Sequence, residues 1–245
     1  METQVAVLGA SGRMGSLVER IIDSTEGLAL HAGLTSATPL EEMLGADVLV
    51  DVSHLDVSEI AVPFALEHGL DVVVGTSGWD EQRIASVAAV VPAGRAAVFV
   101  PNFSLGSVLG TALASVAGRF FDSIEILEAH HDKKVDSPSG TAVRTAERIA
   151  AAREHPLTPP NADQEARGQQ VAGVPIHSMR LRGVVADQQV VLGGAGEVLT
   201  IRHETISQEA YVQGIRLAIG HARSSQGTTV GLDDVLGLGE LLGRA

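Results

Sequence analysis

The sequence contains no cysteine at any of its 245 positions. Disulfides, a thiolate zinc site and a cysteine nucleophile are therefore excluded, and a reducing compartment is compatible with the chain. Aromatic residues make up only 3% of the sequence, whereas 45% is hydrophobic and 19% is charged. This composition, rich in Ala, Val, Leu and Gly, is typical of an α/β protein and not of a disordered or fibrous one.

Long apolar runs and excess positive charge are also absent. No uninterrupted apolar stretch reaches the roughly 18 residues that a membrane-spanning helix needs. The start, METQVAVLGASG, has neither the basic segment nor the apolar core of a signal peptide. The formal net charge of −13 would repel nucleic acid and anionic membranes. We therefore expect a cytoplasmic protein without nucleic-acid or membrane partners, in which any anionic ligand is small and is met by a local positive pocket.

The first hundred residues alternate short apolar runs with helix-like segments. The runs are apolar throughout, as in strands buried on both faces, and they lie at 4–9, 28–34, 47–53, 71–77 and 96–102. Helical spacing of apolar residues is found at 12–24, 57–69 and 80–91. Asp56 and Asp80 are candidate N-caps of the second and third helices. Repeated β-α-β units of this kind predict a parallel, doubly wound sheet.

The pattern changes after about residue 102. Helices are predicted at 105–121 and 141–154, with a strand at 123–131 between them. Residues 155–173, rich in Pro, Gly and polar side chains, predict a loop. Apolar and polar residues then alternate at 174–183, 186–194 and 197–207, as in half-buried strands of an open antiparallel or mixed sheet. A last helical stretch at 208–224 could return to pack on the first sheet.

Three glycines follow the first predicted strand in the segment 9-GASGRMG. Glycines at such a turn let the backbone approach a pyrophosphate, whose charge is attracted by the free N–H groups at a helix start. Because the spacing is G-x-x-G-x-x-G and not the commonest G-x-G-x-x-G, a glycine-rich turn that binds nothing is the alternative. As a dinucleotide fingerprint, the segment predicts cofactor contacts from Gly9, Ala10, Ser11, Gly12, Arg13 and Met14.

The second predicted strand ends in 33-GLTSATP, so Thr35 stands where a carboxylate would hold the ribose of NAD. Without that carboxylate a 2′-phosphate is not repelled, and Arg13 could supply positive charge toward it, although an ordinary solvated arginine is the alternative. We therefore expect NADPH or NADH to serve. Two further turns, 75-GTSG and 101-PNFSLG, follow the fourth and fifth strands, at the edge where open α/β sheets bind ligands.

These patterns predict two domains. Residues 1–104 and 216–245 would form a discontinuous dinucleotide-binding domain around a Rossmann-like, doubly wound parallel sheet. Residues 105–215 would form a second, α+β domain with an open mixed sheet.

The stretch 128-EAHHDKKVDSPSGTA concentrates proton-transfer and anion-binding groups. Each residue alone has an ordinary explanation as a packed or solvated histidine, a loop lysine or a turn former. His130 and His131 are adjacent, so on a strand they face opposite sides, and no metal-ligand spacing accompanies them; no metal site is predicted.

Together the residues predict a site for a small dicarboxylate. Ser139 can cap the helix that follows, and Gly140 and Thr141 offer N–H groups and a hydroxyl at its positive end. Lys134 and one histidine would bind a second anion or transfer protons.

The run from Glu128 to Ala142 resembles the signature of the dihydrodipicolinate reductases, now named 4-hydroxy-tetrahydrodipicolinate reductases. The resemblance extends in the family's order through 9-GASGRMG, 75-GTSG, 101-PNFSLG and 197-EVLTIRHETISQEAY, and it covers essentially the whole chain. Two departures are small. Ser77 stands where the family usually has Thr, and Thr35 leaves the cofactor-selecting acidic position empty.

The resemblance implies reduction of a cyclic dicarboxylate by NADH or NADPH, with loss of water, to tetrahydrodipicolinate in the diaminopimelate route to lysine. By analogy, His130 and Lys134 form the acid/base pair that protonates the ring. The implied substrate-binding residues are His131, Lys134, Ser139, Gly140 and Thr141. The implied nicotinamide side is lined by Gly75, Thr76, Ser77, Val100, Pro101, Asn102 and Phe103. A cleft that closes over both ligands and a homotetramer built through the second-domain sheets are also implied.

Two other interpretations stay open. A different nicotinamide reductase of the same two-domain plan would share 9-GASGRMG but would not need His130, Lys134 and the Gly140–Thr141 pair together. A nucleotide-sensing module without catalysis predicts that the histidine and lysine cluster is inert. A serine hydrolase is disfavoured, because no G-x-S-x-G segment occurs.

Overall fold

A computed structural model describes residues 2–241 of the chain. The strands are β1 (Thr3–Leu8), β2 (Leu28–Leu34), β3 (Val48–Asp51), β4 (Asp71–Val74), β5 (Ala96–Phe99), β6 (Ser123–His130), β7 (Gln169–Val171), β8 (Val174–Arg180), β9 (Ala186–Gly194), β10 (Glu197–Thr205) and β11 (Gly227–Val230). The helices are α1 (Arg13–Asp23), α2 (Leu55–Glu67), α3 (Glu81–Ala88), α4 (Leu105–Ala117), α5 (Gly140–Ala151), α6 (Val212–Ser224), α7 (Leu232–Val235) and α8 (Leu238–Leu241). None of the helices within residues 2–241 is long and apolar enough to cross a bilayer.

The chain forms two compact units. Residues 2–103 and Tyr211–Gly237 make up the first, and Ser104–Ala210 with 238–241 make up the second. The first unit therefore consists of two separate stretches of chain.

The first unit is built on a six-stranded parallel sheet in the order β11-β5-β4-β3-β1-β2. Every residue of β3, β4 and β5 is buried, as expected for parallel strands covered on both faces. The chain passes from β1 to β2 on one side and then crosses to β3 on the other. The carboxyl ends of β1 and β3 thus form the switch point at which such sheets bind ligands. This confirms the predicted doubly wound architecture.

Two sequence predictions for this unit need correction. Asp56 is not an N-cap: the carbonyl of His54 already accepts hydrogen bonds from the Val57 and Ser58 amides, so α2 begins at Leu55 and Asp56 lies in its first turn. The strand β11 was not predicted, because Gly-Thr-Thr-Val at a half-buried sheet edge has no apolar run. The cap at Asp80 is confirmed, since its carboxylate accepts the Arg83 amide at 2.8 Å.

The second unit contains a five-stranded mixed sheet in the order β10-β9-β6-β8-β7. Strands β6 and β8 are parallel and the other neighbours are antiparallel, which confirms the predicted mixed sheet. Alternate residues of the central strands, such as Ile126, Val190 and Ile176, form its apolar core with buried residues of α4 and α5. The opposite face of the sheet carries exposed apolar side chains, among them Met179 and Val198.

The loop predicted at 155–173 is confirmed for residues 155–164 and is wrong beyond them. A 3-10 turn occupies Glu165–Arg167, and β7 follows as an edge strand hairpinned to β8. The two-residue turn is Ala172-Gly173, and both residues have positive φ, at 49° and 82°. A turn of this kind is normally marked by Asn-Gly or Asp-Gly, so alanine at its first position conceals the hairpin in the sequence.

Candidate active site

The glycine turn after β1 is held against neighbouring backbone. Gly9 has φ of +90°, and a Cβ at this position would lie 2.7 Å from the Val52 carbonyl oxygen after β3. A Cβ at Gly15 would overlap the Gly9 carbonyl itself. Side chains are therefore excluded where α1 and β3 meet the turn, at the switch point of the sheet. The turn therefore has the side-chain-free backbone that a dinucleotide pyrophosphate requires for close approach.

Helix α1 begins at Arg13 with Gly12 as its N-cap, and no side chain caps it. The first N–H groups of a helix have no partner within the helix and attract anions. The amides of Arg13 and Met14 belong to this first turn, and the side chains of Ser11 and Arg13 are exposed beside it. The segment predicted to hold a pyrophosphate thus offers uncapped amides at a positive helix end.

Thr35 lies beside this turn, because the preceding carbonyl of Leu34 accepts the amides of both Gly9 and Ala10 at 3.0 Å. The Thr35 hydroxyl lies 3.1 Å from the Thr38 hydroxyl. The position after β2 is thus filled by a neutral turn and not by a carboxylate. Tyr211 was not singled out from the sequence. Burial raises the pKa of its phenol, and the positive charge of Arg13 opposes the rise.

The predicted nicotinamide-side residues follow β4 and β5 at the same sheet edge. A Cβ at Gly75 would lie 2.5 Å from the Phe103 ring, so the glycine leaves room for that buried ring. The Val100 amide donates to the Val74 carbonyl at 2.8 Å. The remaining members differ in exposure: Thr76 is buried, Asn102 is half-buried, and Ser77 and Pro101 are exposed. The structure therefore brings the predicted cofactor residues together along one edge.

A buried carboxylate, Asp51, joins these turns and was missed from the sequence. Its side chain is fully buried and accepts the Ser53 amide at 3.0 Å, the Ser53 hydroxyl at 2.6 Å and the Thr76 hydroxyl at 2.9 Å. It also accepts the hydroxyl of Ser58, which in turn accepts Trp79 Nε1 at 2.9 Å. Asp51 thus fixes the turns after β3 and β4. An aspartate closing the apolar run Val-Leu-Val was the available signal.

In the second unit, the core face of the sheet changes from apolar to polar near the end of β6. Ile126 pairs with Val190 on one side and Ile176 on the other. Two residues later on the same face, Glu128 pairs with Gln188 and Ser178. The buried end of β6 therefore carries a carboxylate directly before His130 and the predicted substrate loop.

Glu128 is buried and bound on both carboxylate oxygens. Arg180 of β8 donates Nη1 to Oε2 and Nη2 to Oε1, each at 3.0 Å, and the Ser139 amide donates to Oε1 at 3.2 Å. Burial by itself raises the pKa of this carboxyl. Hydrogen bonds from His130, Arg180 and Ser178, with the Arg180 charge, outweigh burial and bring the pKa of Glu128 down to about 2.

His130 is held by the same carboxylate, with Nδ1 2.6 Å from Glu128 Oε2. Its carbonyl accepts the Leu181 amide at 2.9 Å, so the residue is anchored to the neighbouring strand end. His131 is half-buried, and its carbonyl accepts the Lys134 amide at 3.1 Å, which closes a turn. The two histidines thus differ in environment, as alternation along a strand predicts.

Lys134 is paired within the loop, with Nζ 2.7 Å from Asp136 Oδ1. Burial raises the pKa of Asp136, but the hydrogen bond and charge of Lys134 outweigh it, so the pKa of this carboxyl is lowered. The neighbouring Lys133 is exposed. Of the two adjacent lysines, Lys134 is the one fixed near the end of β6.

Helix α5 begins as predicted. The Ser139 hydroxyl accepts the Ala142 amide at 3.3 Å, which confirms the cap. A Cβ added at Gly140 would meet no atom within 4 Å, so the helix start faces open space. Thr141 is half-buried in the first turn. Within residues 2–241, no group of three or more His, Asp or Glu side chains is placed to hold a metal ion.

The comparisons with known proteins agree along the chain. A family model described as "Dihydrodipicolinate reductase, N-terminus" matches residues 3–103, and one described as "Dihydrodipicolinate reductase, C-terminus" matches residues 106–236. The chain belongs to the dihydrodipicolinate reductase family. The resemblance found in the sequence is thereby confirmed, and with it the expectation of an NAD(P)H-dependent oxidoreductase.

Individual members of the dihydrodipicolinate reductase family are similar over nearly the full length. The 4-hydroxy-tetrahydrodipicolinate reductase of Clavibacter sepedonicus is 51% identical over 240 residues, 96% of this chain and 87% of that protein. That of Mycolicibacterium smegmatis is 40% identical, covering 96% and 99%. A dipicolinate-bound dihydrodipicolinate reductase from Paenisporosarcina sp. TG-14 superimposes with a TM-score of 0.83 at 29% identity, covering 96% and 99%.

Proposed function

We propose that this protein reduces 4-hydroxy-tetrahydrodipicolinate to tetrahydrodipicolinate, with loss of water, using NADPH or NADH in the diaminopimelate route to lysine. The observation that carries the proposal is the end of β6: His130 on a buried carboxylate, Lys134 in the following loop and the open start of α5. A family member with this arrangement has both proton-transfer and carboxylate-binding groups.

The glycine turn is proposed to bind the cofactor pyrophosphate through the backbone of Gly9 to Met14. When bound, the reduced nicotinamide supplies the hydride. The residues proposed for the nicotinamide side are Gly75, Thr76, Ser77, Val100, Pro101, Asn102 and Phe103. The neutral turn at Thr35 and the exposed Arg13 favour use of both cofactors, since no carboxylate there opposes a 2′-phosphate.

The substrate carboxylates are proposed to bind the amides and hydroxyls at the start of α5 and the positive charge of Lys134. The residues involved are His131, Lys134, Ser139, Gly140 and Thr141. Gly140 supports this role, because the space next to its α-carbon is empty of protein atoms. The N-terminal end of α5 attracts negative charge through its dipole.

The proton required by the reaction is proposed to come from His130 and Lys134. After water leaves the ring and a hydride is added, the resulting enamine takes up one proton on carbon. An imidazolium whose Nδ1–H is hydrogen-bonded to a carboxylate can donate that proton from Nε2 and remain as a neutral imidazole. Lys134 supplies positive charge and further protons beside it. One hydride and one proton are thus consumed for each water released.

We also propose a homotetramer assembled through the second-unit sheets, located in the cytoplasm. The exposed apolar side chains Met179 and Val198, on the sheet face opposite α4 and α5, support the assembly.

The function is tested by following oxidation of NADPH and NADH separately, with substrate made in situ from pyruvate and aspartate semialdehyde by the preceding synthase. The variants are Lys134→Ala and, as a matched control, Lys133→Ala. We expect Lys134→Ala to lower kcat/KM by about 10²- to 10⁴-fold, the usual contribution of a proton-transferring group, and Lys133→Ala to change it less than about 2-fold.

Substrate-dependent oxidation by the parent that is lost only in Lys134→Ala would support the reductase. A folded parent that binds the dinucleotide but oxidises none of it would contradict the proposal and favour the nucleotide sensor.

A further inference from the structure

We infer that Glu128 and Arg180 are positioning residues for His130: Arg180 fixes the ionised Glu128 carboxylate, which holds the Nδ1 proton of His130, so that Nε2 is the nitrogen that exchanges protons with substrate. This inference rests on the proposed function. Neither residue touches the substrate in this account. Both act through the orientation and protonation of the imidazole.

The tautomer follows from the acceptor. Glu128 Oε2 lies 2.6 Å from His130 Nδ1 and also accepts Arg180 Nη1 at 3.0 Å. An ionised carboxylate beside an arginine has no proton to give, so the hydrogen in the contact with Nδ1 belongs to the imidazole. A neutral histidine with its proton on Nδ1 is left with Nε2 as its basic nitrogen.

The carboxylate itself is fixed in place. Its side chain has no exposed surface, and Arg180 meets both of its oxygens in a two-pronged contact. Arg180 also donates to the backbone carbonyls of Met179, at 2.6 Å, and Asp136, at 2.5 Å. The same guanidinium therefore connects β8, the carboxylate on β6 and the loop that carries Lys134. A bidentate arginine contact restricts orientation as well as supplying charge.

The charged surroundings favour the proposed role. The titratable and charged side chains next to the pair are Arg180 from β8 and the adjacent His131, Lys134 and Asp136 from the loop that Arg180 contacts. Asp187 of β9 pairs with Ala129 and therefore lies on the opposite face of the sheet. Asp187 is paired with Arg202 at 2.8 Å, and Asp136 with Lys134 at 2.7 Å. Glu128 is thus the carboxylate bonded to the His130 ring, and it stabilises the imidazolium. When the imidazolium gives its Nε2 proton to the ring carbon, a neutral imidazole with its Nδ1 proton remains, and water restores the lost proton.

Strand β6 supplies a matched control. Glu125 also pairs with a histidine and an arginine, with Oε2 2.8 Å from His177 Nε2 and Oε1 bonded to Arg167. Alternation places Glu125 on the opposite face of the strand from Glu128 and His130. Glu125→Gln therefore removes a similar ion-pair cluster from the same strand without touching His130.

The test is the pH dependence of kcat in the parent, Glu128→Gln and Glu125→Gln, together with ¹⁵N NMR of the His130 ring, assigned by comparison with His130→Gln. We expect Glu128→Gln to lower kcat by about 10- to 100-fold, as loss of a supporting group behind a ligand or base does, with KM within about 3-fold. The alkaline limb of its pH profile should move to lower pH, because a neutral glutamine no longer supplies the counter-charge of the imidazolium. Glu125→Gln should match the parent.

The NMR result does not depend on turnover or on the folding of Glu128→Gln. At alkaline pH, once the ring is neutral, the parent should show His130 protonated on Nδ1. A parent with its proton on Nε2 would overturn the inference, as would a folded Glu128→Gln with the pH profile of the parent. Arg180→Lys, which keeps the charge but loses the two-pronged contact, should lie between the parent and Glu128→Gln in kcat. Absence of turnover in a parent whose His130 carries the Nδ1 proton would instead count against the proposed function.

Discussion

The buried carboxylate of Glu128 should make the stability of this protein depend on pH in a way that a single substitution removes. The pKa of Glu128 is lowered from 4.5 to about 2 in the folded protein. A lowered folded pKa stabilises the fold above the unfolded pKa, and the contribution is lost as pH falls toward the folded value. The side chain is fully buried, so solvent does not screen its partners. The full contribution at neutral pH is about 3 kcal/mol.

The loss falls in a defined window. Between pH 7 and pH 4 this carboxyl should account for about 1 kcal/mol of lost stability, and between pH 7 and pH 3 for about 2 kcal/mol. The assay is urea unfolding of the parent and Glu128→Gln at each pH. The variant will be less stable throughout, because Arg180 loses its partner charge. Its stability should nevertheless fall by about 2 kcal/mol less than that of the parent between pH 7 and pH 3. Parallel curves for the two proteins would refute the reasoning.

Three further predictions concern the first unit. Gly15→Ala should lower the free energy of unfolding, measured with denaturant, by about 1–3 kcal/mol, because the added Cβ overlaps the Gly9 carbonyl. Gly220→Ala should raise it by up to about 1 kcal/mol in the same assay, because this helical position is exposed and no atom lies nearby. Asp51→Asn should lower the free energy of unfolding by about 1–3 kcal/mol and weaken NADPH binding measured by calorimetry, since an amide cannot accept all four hydrogen bonds of this carboxylate. Asp56→Asn, at an exposed position, should change the free energy of unfolding by less than about 0.5 kcal/mol. Arg13→Ala should weaken NADPH binding about 10-fold and NADH binding less than about 3-fold, as loss of one charge-assisted contact to a 2′-phosphate does; equal losses would place Arg13 away from that phosphate.

The centre of the parallel sheet was predictable because β3, β4 and β5 are short, buried and almost entirely apolar. Val48–Asp51 and Ala96–Phe99 are buried at every position, so each stands out between polar turns without help from the rest of the chain. The Ala172-Gly173 hairpin was not predictable, because it lacks the usual turn residues. The edge strand β11 was not predictable either, because it has no apolar run. Local composition therefore predicted the buried strands and missed the two short edge strands β7 and β11.

The candidate site shows the same division. The segments 9-GASGRMG and 128-EAHHDKKVDSPSGTA can be recognised from the sequence because each is a concentrated local pattern. The residues that support these segments cannot be recognised in this way. Arg180 is 52 positions from Glu128, and nothing in its surroundings, Ser-Met-Arg-Leu, indicates that β6 and β8 are neighbours. Asp51 likewise accepts a hydrogen bond from Thr76, which lies 25 positions further along the chain. Such contacts follow from sheet order, which the sequence does not display.

The central claim is that a hydride is transferred to a cyclic dicarboxylate, and isotope transfer tests it most directly. NADPH deuterated at C4 on either face would be supplied with substrate formed in situ, and the product examined by mass spectrometry. Reduction predicts one deuterium in each tetrahydrodipicolinate from one of the two labelled cofactors, with one cofactor oxidised for each product. Oxidised cofactor without labelled product, or no oxidation by the folded enzyme, would contradict it.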